Sequence, residues 1–217
     1  LEKVVKAAAA LKGQQQKAPY VQGNVDLTSK AAVVEADRKR FDFVNKVVAQ
    51  VETRKVLTDL VMEIYEFFDY PPFFHIGCDE ADNIGTCRDC RRKELKELVR
   101  DHICYFHDLF AKQGTRVIMW HDMLLDRGDP RWKGYVSCGS KITATLADTL
   151  PKDVIVCDWQ YSYGNMKEVR KEWPTIRYFK EKGFPVAGCP WLNFNAMKPM
   201  ADFVAEIGAF GYIQTTW

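Results

Sequence analysis

From Phe73 onward the chain alternates between short apolar runs and amphipathic stretches, and no other feature constrains its fold so tightly. The runs FFHIGC (73–78), TRVIMW (115–120), VIVCDW (154–159), FPVAGC (184–189) and FGYIQTT (210–216) read as strands. Between them, 91–112, 141–150, 166–182 and 197–207 read as helices, two of them stopped by Gly114 and Gly183. Buried strands joined by helical crossovers form a parallel sheet. Each run closes on polar or aromatic residues: Asp79–Glu80, Trp120–His121–Asp122, Asp158–Trp159, Pro190–Trp191 and Trp217.

A (β/α)8 barrel carries its chemistry at those strand ends. An open doubly wound sheet also binds ligands there, but its nucleotide-binding form needs a glycine-rich loop, and none follows any run. The expected fold class is therefore α/β, a TIM-type barrel that is incomplete, since five strands are legible where a barrel has eight. Upstream, 1–12 reads as a helix, 13–30 as polar loop and 31–68 as helix with a break near Thr53–Lys55, ended by Pro71–Pro72. The expected division is a helical N-terminal segment, 1–72, leading into a barrel part, 73–217.

Composition excludes several function classes. Lys and Arg number 31 against 29 acids, a net charge of +2 with no long run of one sign, so neither a nucleic acid nor a membrane surface is expected as partner. No apolar stretch reaches the roughly 18 residues a membrane helix needs. Hydrophobic residues at 47% suffice for a packed core. Seven scattered cysteines do not read as a disulfide framework, and this leans the localisation toward a reducing, cytoplasmic setting without fixing it. The start at Leu1-Glu2-Lys3 reads as a fragment boundary, with no signal-peptide pattern.

The sharpest chemical signal is Asp79–Glu80, two carboxyls directly after a buried strand. A glycosidase needs one carboxyl to protonate the leaving oxygen, and most need a second as nucleophile or base. The plain alternative is a helix cap or a solvated turn. Cys87-Arg88-Asp89-Cys90 is a CxxC, but a zinc site needs further ligands and a thioredoxin-like motif needs another context. No metal and no cofactor is expected, and a thiol or zinc protein centred on that pair stands as a second alternative.

The stretch FFHIGCDEA resembles the strand-four motif of the family 20 glycoside hydrolases, the β-N-acetylhexosaminidases, whose common form is His-x-Gly-Gly-Asp-Glu. Cys78 replaces the second glycine, as in the hexosaminidase D-like branch. The likeness continues in order through VIMWHDML (117–124), DWQY (158–161), GCPW (188–191) and GYIQTTW (211–217). It implies retaining, substrate-assisted hydrolysis of terminal β-linked N-acetylglucosaminides or N-acetylgalactosaminides. Glu80 would be general acid and then base. Asp79 would hold the acetamido N–H, and Tyr161 would donate to the acetamido oxygen. Trp120, Trp159 and Trp217 would box the acetamido methyl, with Trp191 on the same rim. Asp122 would reach sugar hydroxyls, and His75 would hold Glu80 or a neighbour. The family also takes an arginine from strand one and acid and histidine groups from strands two and three. Residues 1–72 show no counterpart, so an inactive sugar-binding remnant is the first alternative.

Overall fold

The computed structural model describes residues 51–87, 90–161, 172–192 and 194–216. The expected helix 1–12, the loop 13–30 and the first part of the 31–68 helix lie outside the described residues. The chain divides into two compact units, one comprising residues up to 71 with 83–94, the other 72–82 with 95–217.

In the first unit, α1 (Val51–Phe67) is continuous. The break expected near Thr53–Lys55 is absent. Lys55 pairs with Asp59 one turn on, at 2.6 Å, and the Thr58 hydroxyl donates to the Arg54 carbonyl, so local bonds span the turn. The helix ends where Asp69 and Tyr70 take φ of 55° and 57°. In the 83–94 segment, Cys87 and Cys90 are buried, and the Cys90 amide donates to Cys87 Sγ at 3.3 Å.

The second unit is a five-stranded sheet in the order β1 (Phe73–His75), β2 (Arg116–Trp120), β3 (Ile155–Trp159), β4 (Val186–Cys189), β5 (Gly211–Tyr212). All four pairings are parallel. Sequential order, parallel register and helical returns are the pattern of a (β/α) barrel, incomplete at five strands among the described residues. The outer strands are shorter than the sequence suggested. Beyond His75 the backbone turns into positive φ, and beyond Tyr212 only the Ile213 and Thr215 amides still donate across, to the Gly188 and Pro190 carbonyls.

Helices cover the outer face. On α2 (Leu95–Ala111), Val99, Ile103, Phe106 and Phe110 recur at three- and four-residue spacing and are buried, and Phe110 stacks on Phe74 of β1 at 4.4 Å. Each such side chain contributes on the order of 1.5–3 kcal/mol of burial. The helix begins later than its apolar pattern, because Cys90–Arg92 forms a separate 3-10 turn. The stretch 141–150 is two short turns, α3 (Lys141–Ala144) and α4 (Leu146–Thr149), the first opened by a Ser140/Thr143 capping box. In the described part of 166–182, α5 (Pro174–Glu181) starts on a proline, which has no N–H to leave unsatisfied there. On α6 (Phe194–Glu206), Met200 and Val204 pack on Gly188 of β4, where a Cβ would lie 2.9 Å from Val204 Cγ2. The inner face gathers Cys157, Ala187 and Cys189 with Ile118, Trp120 and Trp159 against them.

Candidate active site

Asp79 and Glu80 leave β1 on an unusual turn. Gly77 and Cys78 both have φ of 74°, and Glu80 has φ of 45°. Left-handed backbone at non-glycine residues costs of order 1 kcal/mol or more and persists only where surroundings impose it. His75 Nδ1 accepts the Gly77 amide at 3.0 Å, and Trp120 N donates to the Gly77 carbonyl at 2.9 Å. Both carboxyl residues are exposed. After the pair, Arg127 donates to Asp82 at 2.7 Å and to the Cys138 carbonyl at 3.2 Å.

Asp122 is the surprise of the site. Expected to reach sugar hydroxyls, it is instead fully buried. Its Oδ2 accepts the Glu80 amide at 2.8 Å, and its Oδ1 accepts the Trp159 indole N–H at 2.9 Å. Both oxygens therefore serve protein donors, which a free strand-end aspartate would not show.

The aromatic rim follows the strand ends. Trp120 tilts over His75 with ring centroids 4.5 Å apart. Trp159 lies 5.0 Å from Tyr161, and Tyr161 lies 6.0 Å from Trp191, both tilted. Trp191 stays more than a third exposed. An arc of this kind offers apolar faces for a sugar's C–H surface beside hydroxyl and N–H groups. Trp217 lies outside the described residues.

Behind the rim lies a buried polar layer that the sequence reading did not single out as functional. His121 Nδ1 lies 3.3 Å from the Trp159 amide, and its Nε2 lies 3.0 Å from the Val136 carbonyl and 3.1 Å from Gln160 Nε2. Gln160 accepts the Val136 amide at 2.8 Å. Asp158 Oδ1 lies 3.6 Å from His121 Nε2, and burial pushes its carboxyl up, with His121 opposing. The available signal was DWQY itself, where polar residues flank the Trp inside an apolar strand.

Three thiols feel the site. Burial, then Asp79 and Asp122, push Cys78 up to about 12. Cys157 and Cys189 share a hydrogen bond that pulls the Cys157 thiol down and pushes Cys189 up, with His75 assisting the former. Among the described residues no group of three or more His, Cys, Asp or Glu side chains could hold a metal ion. No helix among them is long and apolar enough to cross a membrane.

Against known proteins, the family model described as glycosyl hydrolase family 20, catalytic domain, matches residues 8–182. Several solved structures are similar in part. A β-N-acetylhexosaminidase from Bacteroides fragilis is 19% identical, with 66% of this chain and 25% of that one covered and a TM-score of 0.43. An exo β-N-acetylglucosaminidase from Vibrio harveyi is 14% identical, covering 77% and 27%, with a TM-score of 0.49. A chitobiase from Flavobacterium johnsoniae is 17% identical, covering 78% and 25%, with a TM-score of 0.48. The chain thus spans about a quarter of the length of these structures. A comparison with curated proteins gave no match.

Proposed function

Since the chain belongs to glycosyl hydrolase family 20, we propose that it serves the hydrolysis of terminal β-linked N-acetylhexosamine residues, with retention at the anomeric carbon. The observation that carries this reading is the convergence at one end of the sheet. Trp120 and Trp159 end their strands, the Asp79–Glu80 turn, Tyr161 and Trp191 follow strand C-termini, and one buried carboxylate ties the Glu80 turn to Trp159.

In this mechanism the substrate's acetamido oxygen attacks the anomeric carbon while Glu80 protonates the departing oxygen. An oxazolinium forms, and the aglycone leaves as an alcohol. Asp79 accepts the acetamido N–H and balances the positive charge. The Tyr161 hydroxyl donates to the acetamido oxygen and aims it. Glu80, now a carboxylate, takes a proton from water as that water opens the oxazolinium. Exposure of both carboxyls suits this cycle, because Glu80 must meet first the aglycone and then water. Trp120 and Trp159 enclose the acetamido methyl, and Trp191 extends the wall.

The test separates the two carboxyls. Glu80→Gln removes the proton donor, so an alkyl leaving group should depart about 10²–10⁴-fold more slowly, while nitrophenolate should suffer much less in the first step. Asp79→Asn misplaces the acetamido group, so both substrates should lose on the order of 10²–10³. Rates for nitrophenyl and disaccharide substrates decide it. Equal losses on both substrates in Glu80→Gln, or an untouched nitrophenyl rate in Asp79→Asn, would overturn the roles.

A further inference from the structure

The groups assigned to hydrolysis stand on separate strand ends, and one side chain joins two of them. Asp122 follows β2. It accepts the Glu80 main-chain N–H from beyond β1 and the Trp159 indole N–H from the end of β3. Asp122 is itself fixed from behind, because its carbonyl accepts the amides of Cys138 at 2.9 Å and Gly139 at 3.1 Å. It has no exposed surface.

We propose that Asp122 is a positioning residue, holding the turn that carries Glu80 in register with the Trp159 face of the sugar pocket. The inference rests on the hydrolytic reading above. Its physical basis is threefold. The turn at Glu80 occupies a left-handed backbone region that an ordinary residue leaves unless something retains it. An ionised acceptor makes a stronger, shorter bond to an amide than a neutral one does. The second oxygen fixes the plane of an indole whose ring lies 5.0 Å from Tyr161, so one carboxylate orients both the acid's turn and the aromatic wall.

The chemistry of the replacement makes this testable. Asparagine keeps one acceptor, but its NH2 must face the other N–H, so one of the two bonds becomes a donor–donor contact. Glutamate keeps both acceptors and the charge, one methylene farther out. Neither touches the acid itself.

The experiment uses the full chain. Rates on nitrophenyl N-acetylglucosaminide are measured for wild type, Asp122→Asn and Asp122→Glu, beside the Trp159 indole and Glu80 amide signals in nitrogen–proton NMR spectra. A misplacement of about 1 Å costs on the order of 10²-fold, so kcat should fall by about that factor in Asp122→Asn with KM changed less than about threefold. Both NMR signals should shift and lose protection from exchange. Asp122→Glu should recover the indole signal and part of kcat, and it carries the test if Asp122→Asn fails to fold. Wild-type kcat in either folded variant, or unmoved Trp159 and Glu80 signals in Asp122→Asn, overturns the positioning role. A wild-type chain with no turnover instead overturns the hydrolytic reading and the catalytic role with it, while the NMR signals still report whether the clamp exists.

Discussion

The amide of Gly139 donates to the carbonyl of Asp122 over 3.1 Å, and nothing larger than glycine fits where Gly139 sits. A Cβ there would lie 2.3 Å from the Met123 carbonyl oxygen and 2.7 Å from that of Leu125. Both are main-chain atoms of the turn after β2, so neither can rotate away. Gly139→Ala should therefore lower stability by roughly 1–3 kcal/mol, the usual range for overpacking. Urea unfolding measures it. Gly128→Ala is the control, since its nearest neighbour is the flexible Asp126 carboxylate at 3.4 Å. Equal midpoints for the two variants would refute the argument.

His107 gives a pH signature. Its Nδ1 meets Asp108 and its Nε2 meets Asp153, each at 3.0 Å. Burial alone would pull the imidazole down, but the two hydrogen-bonded carboxylates outweigh it and the net direction is up. A raised folded value means the folded state holds the proton more tightly. The contribution is then full below the unfolded value, about 6.5, and disappears as pH rises through the higher folded value. His107→Gln should be less stable than wild type at acidic pH and close the gap as pH rises. A gap that widens with pH would contradict the assignment.

The barrel was legible because its evidence is local. Period and length mark each strand, and the stop glycines mark the helices between them. The strand-end placement of Asp79–Glu80, Trp120, Trp159 and Trp191 was legible for the same reason, since each ends or follows an apolar run. Asp122 was read as a sugar ligand because sequence shows a position after a strand, not the direction of a side chain. Its partners, Glu80 and Trp159, are 42 and 37 residues away. His121, Gln160 and Asp158 escaped for a related reason. Their burial depends on a layer that forms only when the Val136 segment and α5 close over β3.

Cys78 tests whether backbone strain or side-chain contact governs the turn. At φ of 74° a non-glycine residue is penalised by roughly 1–2 kcal/mol. Glycine relieves that, loses a half-buried thiol, and adds about 0.4–1 kcal/mol of unfolded-chain freedom. The terms nearly cancel, so Cys78→Gly should stay within about 1 kcal/mol of wild type. Cys78→Val adds a β-branch where φ is positive and should cost more than about 2 kcal/mol. Thermal and urea unfolding compare them. If glycine costs as much as valine, the thiol's contacts and not the dihedral hold the turn.

Asp158 carries the last prediction. Both of its carboxyl oxygens are fully buried, beside the Thr175 and Gln160 side chains. Burial raises the carboxyl, and His121, 3.6 Å away, with the Thr175 and Gln160 side chains, opposes this without overcoming it. The folded state then keeps the proton to higher pH than the unfolded chain, where an aspartate titrates near 3.9, about the reference value. Stability from this group therefore falls as pH rises from about 4 through the folded value, because the unfolded chain gives up its proton first. Asp158→Asn keeps the shape and removes the titration. Measured by urea unfolding at pH 4, 5, 6 and 7, the difference between the two proteins should move in favour of Asp158→Asn as pH rises. The opposite slope would mean that Asp158 is a carboxylate held by a charged His121. The layer beneath Trp159 would then be an ion pair, and Asp158→Asn would weaken the protein most at neutral pH.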